Sequence, residues 1–285
     1  MTQSTVLQAP PRTWLITGVS SGIGCALAEG VLRGPDRVIG TVRRESDRTA
    51  FEAVAPGRAI GRLLDIGRHE QVPSLVAKIE SEIGPIDVLV NNAGYITEGI
   101  IEEATFDDIR QQIEINLFGT LAVTKAVLPF MRRRRAGMIM IVASALGIVT
   151  LPGAGLYSAS KFALQGVGET LAAELRPFGI RVTVISPGGF RTESTGTSLK
   201  RVARSIPDYD PVIGPASARR TERHGKEPGD PRKLAAALIR LADSEDPPVH
   251  FLPGPDVIHA VRAKFKSFDE EIARWEELAA STDFD

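Results

Sequence analysis

Trp14-Leu15-Ile16-Thr17-Gly18-Val19-Ser20-Ser21-Gly22-Ile23-Gly24 is the stretch that decides the fold. Its first four residues read as a buried strand, a glycine loop follows at once, and an apolar helical pattern runs from Cys25 to Leu32 until Gly34 can end it. Strand, glycine loop and helix in that order make a cradle for a phosphate. Gly18 permits a tight turn, Gly22 lets backbone approach a pyrophosphate, and Gly24 lets the helix pack on its strand. Ser20, Ser21 and Ile23 surround a helix N-terminus whose free N–H groups suit an anion. An ordinary βα turn is the other reading of such a loop.

Outward from this stretch, apolar strand candidates at 37–41, 59–64, 86–91, 138–143 and 180–186 join 13–17 and alternate with helical patterns; a short seventh near 249–252 closes the edge. That alternation predicts right-handed βαβ crossovers, hence an α/β fold with a parallel sheet. At 285 residues the chain accommodates one such unit. The organisation read from it is a flexible segment 1–11, one domain over 12–254 and a helical extension over 255–285. Within the domain, 193–230 is long, irregular and rich in Ser, Thr, Arg, Gly and Pro, as a loop with short helices over a substrate would be.

Ser144 ends a hydrophobic strand pattern, and Tyr157-Ser158-Ala159-Ser160-Lys161 opens an apolar helical one. Four residues apart on a helix, Tyr157 and Lys161 share a face. A phenol, with a reference pKa of about 10, moves protons poorly near neutrality until a neighbouring ammonium favours its phenolate. Lys161 can supply that charge, and Ser144 adds a neutral donor for an oxygen held between it and Tyr157. The three make a proton-transfer site for a C=O/CH–OH pair. Tyr-x-x-x-Lys alone is more often a half-solvated helix surface, so the rest of the chain has to decide.

The loop is Gly-x-x-x-Gly-x-Gly, spaced differently from the more widespread Gly-x-Gly-x-x-Gly. Together with Asn91-Asn92-Ala93-Gly94, Asn116, Ser144, Tyr157, Lys161 and Pro187-Gly188-Gly189-Phe190-Arg191-Thr192, it resembles the short-chain dehydrogenase/reductase family, in the family's order, from about Arg12 to about Phe251. The resemblance implies a Rossmann-like doubly wound parallel sheet of about seven strands flanked by helices on both faces. It also implies a catalytic set of Asn116, Ser144, Tyr157 and Lys161. Lys161 would hold nicotinamide ribose hydroxyls and lower the tyrosine pKa, and Asn116 would position water in a proton relay. Asp65-Ile66 corresponds to the pair that brackets the adenine ring, while a helix-capping role is the other reading of Asp65. Asn92, Ala93 and Gly94 would line the groove by ribose and nicotinamide, with Asn91 steadying the sheet. Pro187, Gly188, Phe190 and Thr192 correspond to the turn that clasps the nicotinamide carboxamide. The apolar helices around 107–131 and 157–176 form dimer surfaces in many relatives, so a homo-oligomer, dimer or tetramer, is expected.

After the second strand comes Val42-Arg43-Arg44, with no carboxylate to accept from adenosine ribose hydroxyls. Arg43 suits a 2′-phosphate through a bidentate contact, which favours NADP(H) over NAD(H). Two arginines opening a solvated helix is the competing reading, and Ser21 stands where many NADP-specific relatives carry a second basic residue.

A formal net charge of −1 gives no reason to expect nucleic acid or an anionic membrane as partner. The basic run Arg132 to Arg135 falls at a helix end, where cations oppose the dipole. One cysteine excludes an internal disulfide, and four scattered histidines argue against a metal site. The first ten residues lack the charged and apolar regions of a signal peptide, and no apolar run reads as long enough to cross a bilayer. Cytoplasmic residence follows as the expectation.

Tyr95, Leu146, Leu151, Leu156, Phe190 and Leu199 are candidate substrate-lining groups, mostly apolar, which suggests a hydrophobic carbonyl substrate; each also suits plain packing. The tail carries apolar residues on one helical side and is expected to pack on the body or a neighbouring subunit. Two functions fit: an NADP(H)-dependent oxidoreductase of an apolar alcohol or ketone, and a catalytically silent NADP(H)-sensing protein on the same fold.

Overall fold

Alternation of apolar side chains along the strands sets the architecture. A computed structural model describes residues 10–192 and 199–284. Of the segment 1–11, only Pro10 and Pro11 are among them, and 193–198 of the expected substrate segment also lie outside. The strands are β1 (Thr13–Thr17), β2 (Arg37–Val42), β3 (Ala59–Leu63), β4 (Val88–Asn91), β5 (Ile96–Glu98), β6 (Gly137–Val142), β7 (Ile180–Ile185), β8 (Leu199–Arg201) and β9 (His250–Phe251). The helices are α1 (Gly22–Leu32), α2 (Glu45–Glu52), α3 (Val72–Glu82), α4 (Phe106–Ile113), α5 (Gly119–Arg134), α6 (Gly155–Leu175), α7 (Asp210–Arg223), α8 (Pro231–Asp243) and α9 (Pro255–Ala280).

Trp14, Ile16, Val38, Val88, Val90, Met138 and Met140 point to one face of the sheet, where α1 and α8 close a core over them. Their sequence neighbours Leu15, Ile39, Leu89, Ile139 and Ile141 point to the other, under α3, α5 and α6. The period of two along each strand thus fills two cores. Truncating a fully buried residue such as Ile139 or Leu89 to alanine would cost about 2–5 kcal/mol.

Seven strands pair in the order β3-β2-β1-β4-β6-β7-β9, all parallel. The chain winds outward from β1 to β3, returns to β4 beside β1, and winds the other way. This is the doubly wound sheet expected from the sequence, with β9 closing the edge. The reversal between β1 and β4 opens a crevice beyond the C-terminal strand ends, where such sheets bind ligands.

Four local features depart from the sequence reading. The segment after β7 is more regular than a loop: β8 pairs in parallel with β5, and α7 follows. Glu98 of β5, buried, pairs with Arg220 of α7 and Arg201 of β8, which ties that segment down. The long helical run Phe106–Arg134 carries an 18-residue window of mean hydropathy 1.3, long and apolar enough by composition to cross a bilayer. That corrects the expectation of no such run; its apolarity serves the sheet, since Val123, Val127 and Met131 lie in the core. A π-helical turn, Glu114–Phe118, interrupts the same run. Finally, α9 buries only Val257 and Val261, and every residue described from Arg262 onward is exposed, so most of the tail does not pack on the body.

Candidate active site

Gly18 and Gly22 adopt φ of +73° and +63°, left-handed backbone that favours glycine. The turn is fixed from below, because the N–H groups of Gly18 and Val19 both donate to the Thr41 carbonyl at 3.1 Å. A Cβ on Gly24 would stand 2.2 Å from the Gly18 carbonyl oxygen and 2.4 Å from the Asn92 amide nitrogen, so only glycine lets α1 seat against this loop. Ser21 stands at the N-cap of α1 without a side-chain capping bond, which leaves the helix N-terminal N–H groups to an anion. The geometry therefore fits a dinucleotide pyrophosphate.

Asn92, expected to line the groove, has its side chain committed to the loop: its amide donates to the Thr17 and Gly18 carbonyls, both at 2.9 Å. Thr17 completes the clasp by accepting from the Asn92 and Ala93 N–H groups at 2.9 and 3.0 Å. Thr17 escaped the sequence reading, although its place immediately before Gly18 was a signal. Asn91 donates to Thr124 at 2.9 Å and so ties the sheet to α5.

Past β2 and β3 lies a cavity of about 310 Å³ lined by Arg43, Leu63, Leu64, Asp65, Arg68 and Gln71. Arg44 turns away into a two-pronged pair with Asp47 at 2.8 and 2.9 Å. Arg43 and Arg68 remain on the cavity, and Arg68 went unread in the sequence because it follows a strand end by several residues. Asp65 caps no helix; its carboxylate accepts from the Gly67 N–H at 3.0 Å in a local turn. The Ile66 side chain lies in the core against Gly119 rather than on the cavity, whose apolar wall is Leu63 and Leu64.

On the far side of the crevice, α6 delivers Tyr157 and Lys161, both buried. The Ser144 hydroxyl accepts from the Leu146 N–H at 3.1 Å, which leaves its own proton for the Tyr157 phenol. Burial pushes that phenol up to about 12, and the Ser144 hydrogen bond pulls the other way. Burial also brings Lys161 down to about 8. Lys161 donates to the Val142 carbonyl at 2.8 Å with its Nζ 5.7 Å from the Tyr157 ring centre. The expectation that Lys161 sets a low tyrosine pKa is therefore not met in this state, because desolvation outweighs every other influence on the phenol.

Asn116, in the π turn, accepts from the Tyr95 N–H and donates to the Tyr95 carbonyl and the Ser160 hydroxyl, each at 3.1 Å. Ser160 in turn donates to the Tyr157 carbonyl at 2.7 Å. Ser160, unread although it sits inside the Tyr157–Lys161 stretch, thus links Asn116 to the helix that carries Tyr157 and Lys161. Gly94 faces Asn116 closely, since a Cβ there would lie 3.0 Å from the amide oxygen.

The turn after β7 is also braced. The Gly189 N–H donates to Asp256 at the start of α9 at 3.2 Å, Pro187 accepts from Ala145 at 2.9 Å, and Phe190 packs on Gly229. Thr192 approaches Gly22, so this turn meets the glycine loop across the crevice. Among the substrate candidates, Tyr95 and Leu146 are half-buried near Ser144 and Asn116 in the chain's own contacts, whereas Leu151 is 56% exposed.

The family model described as short chain dehydrogenase matches residues 12–202, which span the loop, Asn116, Ser144, Tyr157 and Lys161. The chain belongs to this family. Short-chain dehydrogenases are oxidoreductases of CH–OH groups that use NAD or NADP, and this one is such an enzyme by class. It is 34% identical over 272 residues to the oxidoreductase BOA17 of Botryotinia fuckeliana, covering 95% of this chain and 99% of the relative. With the 3-ketodihydrosphingosine reductase of Bacteroides thetaiotaomicron it shares 35% identity over 260 residues, 90% and 93% of the two chains. A crystal structure of a short-chain dehydrogenase from Streptomyces avermitilis superposes with a TM-score of 0.89 at 36% identity, covering 97% of this chain and all of the other.

Proposed function

We propose that this dehydrogenase interconverts a secondary alcohol and a ketone, or an alcohol and an aldehyde, on an apolar small molecule with NADP(H), using Tyr157 as general acid and base. The observation that carries the reading is the placing of Ser144 and Lys161 against a buried Tyr157, with the Lys161 Nζ 5.7 Å from the phenol ring centre. A carbonyl oxygen entering between the two hydroxyls accepts from both. Tyr157 passes its proton to that oxygen during reduction, and Ser144 steadies the developing negative charge. The nicotinamide, when bound, supplies or takes the hydride. Lys161 uses one N–H on Val142 and keeps two for ribose hydroxyls and for returning a proton toward Tyr157.

Arg43 and Arg68 on one cavity support a 2′-phosphate and hence NADP(H) over NAD(H). The half-buried Tyr95 and Leu146, and a relative named for reducing a keto compound, support an apolar ketone. The domain over 12–254 does this work, with 193–230 as its substrate segment. Exposed Phe118 and Phe162 beside α5 and on α6 support a homo-oligomer.

The test is a panel of apolar ketones and aldehydes mixed with purified protein and NADPH or NADH, followed by absorbance of the reduced cofactor. Turnover with NADPH ahead of NADH is expected. Tight NADP(H) binding with no turnover of any carbonyl, or of the alcohols with oxidised cofactor, would instead mean a sensing protein.

A further inference from the structure

The apolar seam of α9 begins on the body and runs off it. Val261 is buried, and Phe265, Phe268, Ile272 and Trp275 continue the same stripe at alternating steps of four and three residues while each is 50–60% exposed. The chain's other tryptophan, Trp14, is fully buried. From Arg262 to Ala280 the helix presents all its sides to solvent over about 28 Å. A helix this exposed gains little from propensity alone, and a stripe of this period is the seam of a two-helix pairing.

We propose that α9 pairs antiparallel with α9 of a second copy of this chain. Charge decides the occupant and its direction. Arg262, Lys264 and Lys266 lie in the first half of the helix, whereas Asp269, Glu270, Glu271, Glu276 and Glu277 lie in the second, with Asp256 and Arg274 the exceptions. Antiparallel pairing that sets Phe265 against the partner's Phe268 and Val261 against the partner's Ile272 brings Arg262 beside the partner's Asp269 and Lys264 beside the partner's Glu271. Symmetry repeats both pairs, and opposed helix dipoles add to the match. Parallel pairing instead sets Glu271 beside the partner's Glu276, which offsets the one favourable pair it makes, Lys264 beside the partner's Asp269. A bilayer surface is the poorer occupant, because acids outnumber bases along α9 and a helix lying on a membrane is rich in Lys and Arg.

Two charge-reversed full-length variants test this by sedimentation velocity at low salt. One carries Arg262→Glu with Lys264→Glu, the other Asp269→Lys with Glu271→Lys. Each puts like charges together in its own pairing, so each alone is expected at half the wild-type mass. Mixed in equal amounts they restore all four pairs, and the wild-type mass returns. Both variants are at exposed positions away from the crevice, and recovery on mixing shows that neither has merely unfolded. A monomeric wild type, variants that keep the wild-type mass, or a mixture that fails to recover would each overturn the pairing, as would wild type carried to the top of a gradient on anionic vesicles.

Discussion

Tyr157 and Lys161 differ from free side chains chiefly because both are buried, and that gives them a pH signature. Below pH of about 8 Lys161 is protonated in folded and unfolded chains alike; between there and its unfolded value near 10.5 only the unfolded chain holds the proton. Unfolded chains then bind more protons, so the penalty of burying the ammonium is relieved and stability rises with pH across that window. Relative to Lys161→Met, the wild type should gain up to about 1.4 kcal/mol per pH unit from about pH 8 to 10, read from urea midpoints. Identical pH profiles for the two proteins would contradict the burial of a charged lysine. Above pH 10 the sign reverses for Tyr157, whose phenol stays protonated in the fold up to about 12. At the adenosine end, Arg43→Asp should cut the NADPH-over-NADH ratio of kcat/KM by about 10- to 100-fold, the worth of a lost charge-assisted contact, and Arg68→Ala by less. An unchanged ratio would remove the 2′-phosphate argument. Residues with a strong chemical identity in the right order, such as Tyr157 and Gly22, were legible in the sequence. Thr17, Ser160 and Arg68 were not, because their roles are contacts across the fold with groups far away in the chain.

Each element of the crevice is held by a close contact that can be challenged. Gly24→Ala would drive a methyl into the Gly18 carbonyl, so the loop must shift; a loss of about 1–3 kcal/mol and weaker NADPH binding are expected from unfolding curves and fluorescence titration. Glu98→Ala should act elsewhere, leaving the half-buried Arg220 without this partner. Limited proteolysis within 203–229 should then accelerate and substrate KM should rise while NADPH affinity holds. Proteolysis at the wild-type rate would mean that α7 is fixed by other contacts. The sequence located the seven strands of the main sheet to within a few residues, since period-two apolar runs are a local property. It did not show β5 and β8 as a pair, because three-residue strands carry no periodicity and their pairing rests on Glu98, Arg220 and the chain between them. Nor did it show the π turn at Asn116, where a buried amide trades helix regularity for contacts with Tyr95 and Ser160.

At the scale of the whole molecule, one topological event assembles the site. Reversal of winding between β1 and β4 brings the glycine loop, Asn92, Ser144 and the Tyr157 helix to the same edge of one sheet, although they are spread over more than half of the chain. Alternation of strand and helix predicted a parallel sheet, the family resemblance implied its double winding, and the order of strands within it came from the fold. The covering of the far end of α9 stayed open between the body and a neighbouring subunit for a related reason: an apolar stripe says that a helix will be covered, not by what, and the fold removes the body for all but its first turns. The central claim, that this crevice moves a proton through Tyr157 as hydride passes to or from a carbonyl carbon, is tested most directly by comparing Tyr157→Phe with wild type for NADPH affinity and for single-turnover reduction of the best ketone found. The expected result is an unchanged cofactor Kd with reduction slowed by about 100- to 10,000-fold, the usual contribution of a positioned general acid. Reduction by Tyr157→Phe within a few-fold of the wild-type rate would contradict it.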